Sequence, residues 1–244
     1  MKKILVCIPT YNESENIEIL CKKILNLKKK VDLLIVDDNS PDDTSGIVEK
    51  LKLKNKKLFL IKREKKIGIG SAIRTGFKFA LKKNYNAIIT LDADFSHDPQ
   101  KIPLFIKKLE KYDFVIGSRY IKGGKTDYKG IRNFLSRSAN KLCSFFLNMP
   151  FSEFTTSYRI YNYKCIKMLN NKKLTAEDYS SLIEFFFYIY YSGFKCNEVP
   201  IIFKDRFKGN SKIPKLQIIY TFLKLITLSL KKFFLTKKNN AQKE

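Results

Sequence analysis

Short apolar segments alternate with helix-period segments through the first half of the chain. The apolar segments are residues 3–8, 33–36, 58–61, 87–91 and 114–116. Between them apolar residues recur at every third or fourth position, and Ser14 is placed to cap the first helix. Near-continuous apolar strands that alternate with helices form parallel sheets. The pattern therefore predicts an α/β fold with a mostly parallel sheet flanked by helices.

The second half of the chain is less regular. A Gly- and Lys-rich loop over residues 120–130 precedes a predicted helix over 131–148. The segments that follow are a strand around 155–161, a short helix near 164–169, an aromatic helix around 185–191 and a strand over 196–203. We find neither an internal repeat nor a linker, so the sequence predicts one domain over residues 1–212.

The stretch from residue 216 to residue 230 is strongly apolar, but Gln217 and Lys224 interrupt it. A confident membrane span needs about 18 uninterrupted apolar residues. We therefore predict an amphipathic, membrane-associating helix over residues 213–235, followed by a disordered polar tail over 236–244. The alternative is an ordinary core helix. The N-terminal apolar run stops at Pro9, too early for a signal peptide, and indicates a first strand.

The cysteine and histidine content excludes several classes of site. Five cysteines, an odd number, are widely spaced at positions 7, 21, 143, 165 and 196, with no Cys-x-x-Cys pair. This favours a reducing, cytosolic setting over a disulfide framework or a zinc site. His97 is the only histidine, which disfavours histidine-based triads and multi-histidine metal sites.

The formal charge of +25 indicates an anionic partner: nucleic acid, a membrane surface or a phosphorylated substrate. Only seven of the 48 basic residues are Arg. The Lys residues are scattered and no nucleic-acid-binding motif is present, so a nucleic-acid-binding protein remains only a remote alternative. Arg is the side chain suited to forked phosphate contacts, and the few Arg residues lie near the strand ends.

Polar and acidic residues follow the predicted strands at residues 9–13, 37–42, 92–94 and 117–120. The carboxyl ends of parallel strands share one edge of the sheet, where ligands bind. Asp92 and Asp94 can share a hard divalent cation, Mg²⁺ or Mn²⁺, completed by water and phosphate oxygens. The alternative is that Asp92 caps a turn and Asp94 is solvated.

Asp37 and Asp38 can serve a nucleoside, although one of them is expected to serve the turn instead. The segment 68–71 opens a helix and suits a phosphate, but it lacks the dinucleotide-binding glycine pattern. Arg132 and Ser136 share one helix face, and Arg206 lies in a basic loop over residues 204–212. Several arginines beside a carboxylate pair indicate a pocket for more than one phosphate.

Taken in order, these motifs resemble family 2 glycosyltransferases of GT-A fold, which is Rossmann-like. The matching segments are residues 9–13, 36–42, 63–70, 92–99 and 117–120. Within that family the chain is most similar to the dolichyl-phosphate (polyprenyl-phosphate) mannosyltransferases, through residues 123–124, Arg132 with Ser136, and residues 156–159, 198–206 and 211–212. The resemblance spans roughly residues 3–230.

The resemblance implies a role for each matching position. The residues that would hold the guanosine part of GDP-mannose are Pro9, Tyr11, Glu13, Val36 and Asp38. Asp92 and Asp94 would hold Mg²⁺ or Mn²⁺ on the diphosphate, with the Ala93 backbone nearby. The residues that would hold the acceptor and nucleotide phosphates are Arg119, Arg132, Ser136 and Arg206, and Lys212 would also face the nucleotide. The catalytic set implied is Asp94, Arg119, Arg132 and Arg206.

The activity implied is inverting, metal-dependent transfer of mannose from GDP-mannose to dolichyl or polyprenyl phosphate, a step of protein glycosylation and GPI-anchor biosynthesis. The alternative within the same fold is UDP-glucose or another nucleotide sugar. The expected location is the cytosolic face of the endoplasmic reticulum or of a prokaryotic plasma membrane. The aromatic helix, the C-terminal helix and the Lys excess would hold the site there, and small membrane-anchoring subunits are possible partners.

Overall fold

The structure is a computed structural model and describes residues 3–206 and 217–240, with side chains in the last segment described up to Phe233. Seven strands form its central sheet, in the order β3-β2-β1-β4-β7-β5-β8. They are β1 (Ile4–Thr10), β2 (Asp32–Asp37), β3 (Leu58–Lys62), β4 (Ala87–Thr90), β5 (Phe114–Ser118), β7 (Arg159–Asn162) and β8 (Cys196–Pro200). All neighbouring pairs are parallel except those of β7, which confirms the α/β fold.

A separate two-stranded ribbon pairs β6 (Lys125–Thr126) with β9 (Ile202–Phe203). The helices are α1 (Ser14–Leu25), α2 (Thr44–Leu53), α3 (Ile69–Lys82), α4 (Ile102–Lys108), α5 (Gly130–Leu147), α6 (Tyr163–Asn170), α7 (Ser181–Tyr191) and α8 (Gln217–Asn240). In the part of the chain that the structure describes, none of these helices is long and apolar enough to cross a membrane.

The sheet separates two apolar cores, because successive side chains of a buried strand point to opposite faces. On β1, Leu5 and Cys7 face the core shared with α3 and α7, whereas Val6 and Ile8 face the core shared with α1. The helix α3 lies so close to β1 that a Cβ added at Gly76 would meet Cys7 Sγ at 2.5 Å. Both faces of the sheet are therefore covered, and ligands are left with its edges.

The structure differs from the sequence predictions at three elements. Ser14 does not cap α1; it is the first helical residue, and its N–H is bound by Asp42 Oδ2 at 2.9 Å. The strand predicted over 196–203 is divided into β8 and β9. The prediction that the aromatic helix helps to hold the protein at a membrane is wrong, since residues Ser181 to Ile189 of α7 are buried. A helix that is apolar all round belongs to a core.

The helices α5 and α8 pack against each other at the surface. Ser229 Oγ and Lys232 Nζ both donate to the Phe146 carbonyl, at 3.2 and 2.9 Å. Lys224 Nζ of α8 reaches Thr175 Oγ1 at 2.6 Å. The helix α8 continues to Asn240, five residues into the segment 236–244 for which the sequence predicts a polar tail. Propagating a formed helix is easy, and polar residues suffice for that.

Candidate active site

The predicted polar strand ends meet at one edge of the sheet, and the two adjacent aspartates there have different partners. Asp37 accepts hydrogen bonds from Thr10 Oγ1, Ser40 Oγ and Ser45 Oγ at 2.8, 2.6 and 2.7 Å. It is therefore the aspartate that serves the turn, as one of the pair was expected to do.

Asp38 instead organises the loop that leads into α3. It forms an ion pair with Arg63 and accepts the N–H groups of Ile67 and Gly68, each at 3.1 Å. Its carboxylate thus has partners on both oxygens. The nucleoside contact implied for Asp38 stays a prediction. The loop that leads into α3 depends on Arg63 as well as on Asp38.

Asp92 and Asp94 lie just beyond β4, where their carboxylates are held by neighbouring groups. Ser157 Oγ donates to Asp92 Oδ1 at 2.5 Å, and Ser96 N–H donates to Asp94 Oδ1 at 3.0 Å. Burial, together with the charge of Asp94, raises the pKa of Asp92 above its ordinary value although His97 opposes the shift. Two neighbouring carboxylates favour a positive charge beside them, which Arg206 supplies at Asp94 Oδ2.

His97 supports this turn. It is buried, and burial lowers the pKa of its imidazole. Its Nδ1 accepts the Asp92 N–H at 3.2 Å, so the ring proton resides on Nε2, which lies 3.0 Å from Thr156 Oγ1. The neutral ring also packs on Tyr158 and Phe203, with centroids 5.1 and 5.4 Å apart.

The donor set fits a hard divalent cation that is shared with a substrate. Two carboxylates stand two positions apart at the edge of the sheet, and the one residue between them, Ala93, is buried in the core. Within residues 3–206 and 217–233, no group of three or more His, Cys, Asp or Glu side chains is arranged to hold a metal. Mg²⁺ and Mn²⁺ in such sites take their remaining ligands from water and phosphate oxygens.

Arg206 bridges two acidic residues of the site. Its Nη1 donates to Glu13 Oε1 and its Nη2 lies against Asp94 Oδ2, each at 3.0 Å. The Arg206 side chain is 21% exposed and both carboxylates are 8% exposed. The bridge joins the first strand end to the carboxylate pair, and so brings together three residues that the sequence assigned to one site.

Arg119 forms a buried ion pair that the sequence did not reveal. Its Nε and Nη2 donate to the two carboxylate oxygens of Glu153, at 2.7 and 2.8 Å, and Nη2 also reaches Thr155 Oγ1. Glu153 is fully buried and Arg119 is 5% exposed. Burial alone would raise the pKa of Glu153, but the Arg119 charge and the hydrogen bonds hold it below its ordinary value.

Of the remaining predicted phosphate-binding residues, Arg132 lines a neighbouring groove of about 560 Å³, and Ser136 is not among the residues that line it. Arg132 is half exposed, pairs with Asp205 at 3.0 Å and lies 3.7 Å from the centre of the Tyr128 ring. The hydroxyls of Ser136 and Tyr120 share a hydrogen bond of 2.6 Å. The residues that line the groove are Thr126, Asp127, Tyr128, Lys129, Arg132 and Asp205.

The other predicted nucleotide contacts fall into three groups. Pro9 and Tyr11 lie partly exposed at the end of β1, where Lys66 Nζ stands 4.0 Å above the Tyr11 ring. The Val36 side chain is buried in the α3 core, which leaves its backbone as the part able to meet a ligand. Lys212 lies outside the described residues.

Sequence reasoning missed four residues around the site. Glu153, Tyr128 and Asp205 partner the predicted arginines, and Tyr179 lies where burial and the charge of Asp92 raise the pKa of its phenol. Asp205 lies within the recognised segment 198–206 but had no role assigned to it, and the other three lie outside the recognised motifs; Glu153 is separated from Arg119 by 34 positions. Only the folded chain identifies such partners.

Comparisons with known proteins agree with this geometry. Residues 5–169 match the model of glycosyl transferase family 2. The polyprenol monophosphomannose synthase of Mycolicibacterium smegmatis is 32% identical over 215 residues, which cover 87% of this chain and 81% of that protein. The undecaprenyl-phosphate mannosyltransferase of Micrococcus luteus is 29% identical over 212 residues, covering 86% and 87%.

Solved structures share the fold at low sequence identity. The glucosyl-3-phosphoglycerate synthase from Mycobacterium tuberculosis, in complex with Mn²⁺, UDP and phosphoglyceric acid, superposes with a TM-score of 0.69 at 16% identity. The superposition covers 95% of this chain and 78% of that one. The similarity supports the GT-A type of α/β architecture.

Proposed function

Because the chain belongs to glycosyl transferase family 2 and is therefore a glycosyltransferase, we propose that it transfers mannose from GDP-mannose to a polyprenyl phosphate such as dolichyl phosphate. The observation that carries the proposal is that a pair of carboxylates and a set of arginines meet at one edge of the sheet. Asp92 and Asp94 offer oxygen ligands for the metal of a sugar nucleotide, and the consecutive residues Asp205 and Arg206 connect Asp94 to Arg132, which would take a second phosphate.

The names of the relatives support the acceptor and the sugar. Both curated relatives are mannosyltransferases or mannose synthases of polyprenyl phosphates, and each matches more than four fifths of this chain. A specific observation favours a second candidate: the fold neighbour binds UDP. Transfer of glucose from UDP-glucose to the same acceptor is therefore the alternative that the assay must separate.

The reaction suits a site without a general base. A phosphate monoester is already an anionic nucleophile, so the enzyme has to position it and stabilise charge rather than remove a proton. Attack at the anomeric carbon from the face opposite the leaving nucleoside diphosphate forms the new C–O bond, breaks the old one and inverts the centre. Mg²⁺ or Mn²⁺ held by Asp92 and Asp94 would stabilise the negative charge of the leaving diphosphate.

We further propose that the enzyme works at the cytosolic face of a membrane, where its acceptor resides. Among described side chains, thirteen of the eighteen exposed large hydrophobic residues lie on α5 or α8. On α8 these are Ile218, Ile219, Tyr220, Phe222, Leu223, Ile226, Leu230 and Phe233; on α5 they are Ile131, Phe134, Leu135, Leu142 and Phe145. We call this surface the α5–α8 face.

The charge around the α5–α8 face fits an anionic bilayer. The exposed charged residues of α5 are Arg132, Arg137 and Lys141, and the helix has no acidic residue. An apolar face flanked by basic side chains is the usual design of a helix lying in the membrane interface. Because Arg132 and the apolar residues share α5, docking would bring the phosphate-binding groove to the lipid surface. Small membrane-anchoring subunits remain possible additional partners.

The test is transfer of labelled sugar to a polyprenyl phosphate in detergent, with GDP-mannose, UDP-glucose and other nucleotide sugars supplied separately. We expect transfer from GDP-mannose, competition by GDP rather than UDP, and loss of activity on chelation that Mg²⁺ or Mn²⁺ restores. Preferential transfer from UDP-glucose would replace the proposed donor. Full activity of Asp94→Ala would refute the role of the carboxylate pair.

A further inference from the structure

Two consecutive residues, Asp205 and Arg206, reach the two oppositely charged halves of the site. Asp205 Oδ1 accepts a hydrogen bond from Arg132 Nη1 at 3.0 Å. The Arg206 guanidinium contacts Glu13 Oε1 and Asp94 Oδ2, each at 3.0 Å. One short segment thus sets an anion on a phosphate-binding arginine and a cation on a metal-binding carboxylate.

The chemistry of each contact resembles that of the ligand proposed for the same atoms. A carboxylate and a phosphate both present oxygen acceptors to the edge of a guanidinium. A guanidinium and a divalent cation both neutralise a carboxylate. Asp94 Oδ1 already accepts the Ser96 N–H, so Arg206 and a metal ion would compete for Asp94 Oδ2.

We propose that Asp205 and Arg206 form an internal competitor, in which Asp205 occupies the acceptor-phosphate position on Arg132 and Arg206 occupies the metal position on Asp94. The acceptor half of this inference rests on the proposed function, whereas the metal half needs only the carboxylate pair. Metal binding displaces Arg206 from Asp94 and frees its guanidinium for phosphate, the role that the family resemblance gives it. Acceptor binding displaces Asp205 from Arg132.

The backbone on either side links the two displacements. Lys204 N–H donates to the Ser96 carbonyl at 3.2 Å, and Asp205 N–H donates to Asp127 Oδ2 at 3.2 Å. The segment is thereby held between the carboxylate turn and the groove. Because the two side chains are consecutive, a shift that releases one also moves the other. Metal and acceptor should then bind cooperatively, and by linkage each raises the affinity of the other by the same factor.

The size of each effect follows from burial. The Arg132–Asp205 pair is more than half exposed on both sides, so its removal should alter acceptor affinity by at most about fivefold. The Arg206 bridge is largely shielded from water and joins two carboxylates. Its removal should therefore change cation affinity more, by roughly tenfold.

The metal half is tested with Mn²⁺ alone. Free Mn²⁺ is measured by electron paramagnetic resonance in titrations of the parent protein, Arg206→Gln and the control Arg137→Gln, without nucleotide or acceptor. Arg137 is an exposed arginine of α5 whose Nε donates to Asn133, so the control makes the same change in net charge. We expect tighter Mn²⁺ binding in Arg206→Gln only. Affinity equal to that of the control, or weaker, overturns the metal half.

The acceptor half is tested by the KM for polyprenyl phosphate in Asp205→Asn, with Glu177→Gln as a control at an exposed acid outside the groove. We expect a lower acceptor KM in Asp205→Asn, an unchanged KM for GDP-mannose and a thermal midpoint like that of the parent. An unchanged or higher acceptor KM overturns this half. Failure of mannose transfer itself would refute the proposed function, and the Mn²⁺ titration would still decide the competition at Asp94.

Discussion

Replacing Glu153 by Gln should destabilise the protein severely, because it leaves a buried arginine without its counter-charge. Glu153 is fully buried and accepts two hydrogen bonds from Arg119, at 2.7 and 2.8 Å. It also accepts the N–H groups of Thr155 and Thr156, at 3.1 and 3.3 Å. Glutamine conserves the shape but removes the charge and offers one carbonyl oxygen in place of two carboxylate oxygens.

The magnitude follows from the burial of both partners. Removing one partner of a buried ion pair costs about 3–5 kcal/mol. For a chain of this size, each kcal/mol lowers the thermal midpoint by about 2–4 °C. We therefore expect Glu153→Gln to lower the midpoint by roughly 6–20 °C at neutral pH.

The pH dependence of stability predicts independently that the parent is more stable than Glu153→Gln. The pKa of Glu153 lies below its ordinary value: burial raises it, but the Arg119 charge and the hydrogen bonds from Arg119 and Thr155 together outweigh burial. A carboxyl with a depressed pKa stabilises the fold above its unfolded pKa, and the stabilisation is lost as pH falls through the folded pKa. The difference between parent and Glu153→Gln should be complete at neutral pH and should shrink only in acid, below the ordinary glutamate range.

Thermal unfolding followed by circular dichroism measures this directly. The control is Glu177→Gln. The Glu177 side chain is 56% exposed and its ion pair with Arg74 is a long one, at 3.5 Å, so this variant should unfold like the parent. A second variant, Arg119→Met with Glu153→Leu, removes both charges and should be more stable than Glu153→Gln. A midpoint for Glu153→Gln within about 2 °C of the parent, less than the shift of 1 kcal/mol, would refute the reasoning.

Three further predictions concern function. Asp94→Asn should lower kcat for mannose transfer by about 100-fold or more, because it weakens charge stabilisation at the leaving diphosphate; steady-state kinetics decides, and a near-normal kcat contradicts it. Phe222→Asp should reduce flotation with anionic vesicles while transfer to a short-chain acceptor in detergent persists, whereas Leu53→Asp, exposed on α2, should float normally. Flotation of the parent should weaken at high salt, and salt-independent binding would contradict the basic contribution.

The strand ends could be predicted because they are recorded locally. Runs of consecutive apolar residues predicted the five strands of the first half to within about two residues, and polar residues directly after them marked the edge at which we propose that ligands bind. The different roles of Asp37 and Asp38 were predicted only in part. Sequence showed that one aspartate would serve the turn, but which one depended on Thr10 and Ser45, contributed by other elements.

The direction of a strand and the long-range packing partners of a helix could not be predicted from the sequence. The strand β7 is antiparallel between β4 and β5, and no local pattern distinguishes a strand running one way from the other. The apolar run of α7 looked suited to a membrane, but the structure uses it as a core helix. The exposed apolar face of α5 was not predicted, because an apolar stripe on a helix is equally typical of a face that packs against a core.

The partners that remained hidden also decide how each arginine can use a phosphate. Replacing Glu153 on Arg119 would break a buried pair, so under the proposed function a phosphate would have to approach Arg119 through Nη1, the nitrogen that does not donate to that carboxylate. Arg132 holds a half-exposed carboxylate that phosphate can replace at little cost. Arg119 therefore keeps its carboxylate partner, whereas Arg132 can exchange its partner for a phosphate. From this difference, neutralising Arg132 should raise the acceptor KM with the fold intact, whereas neutralising Arg119 alone should lower stability as well.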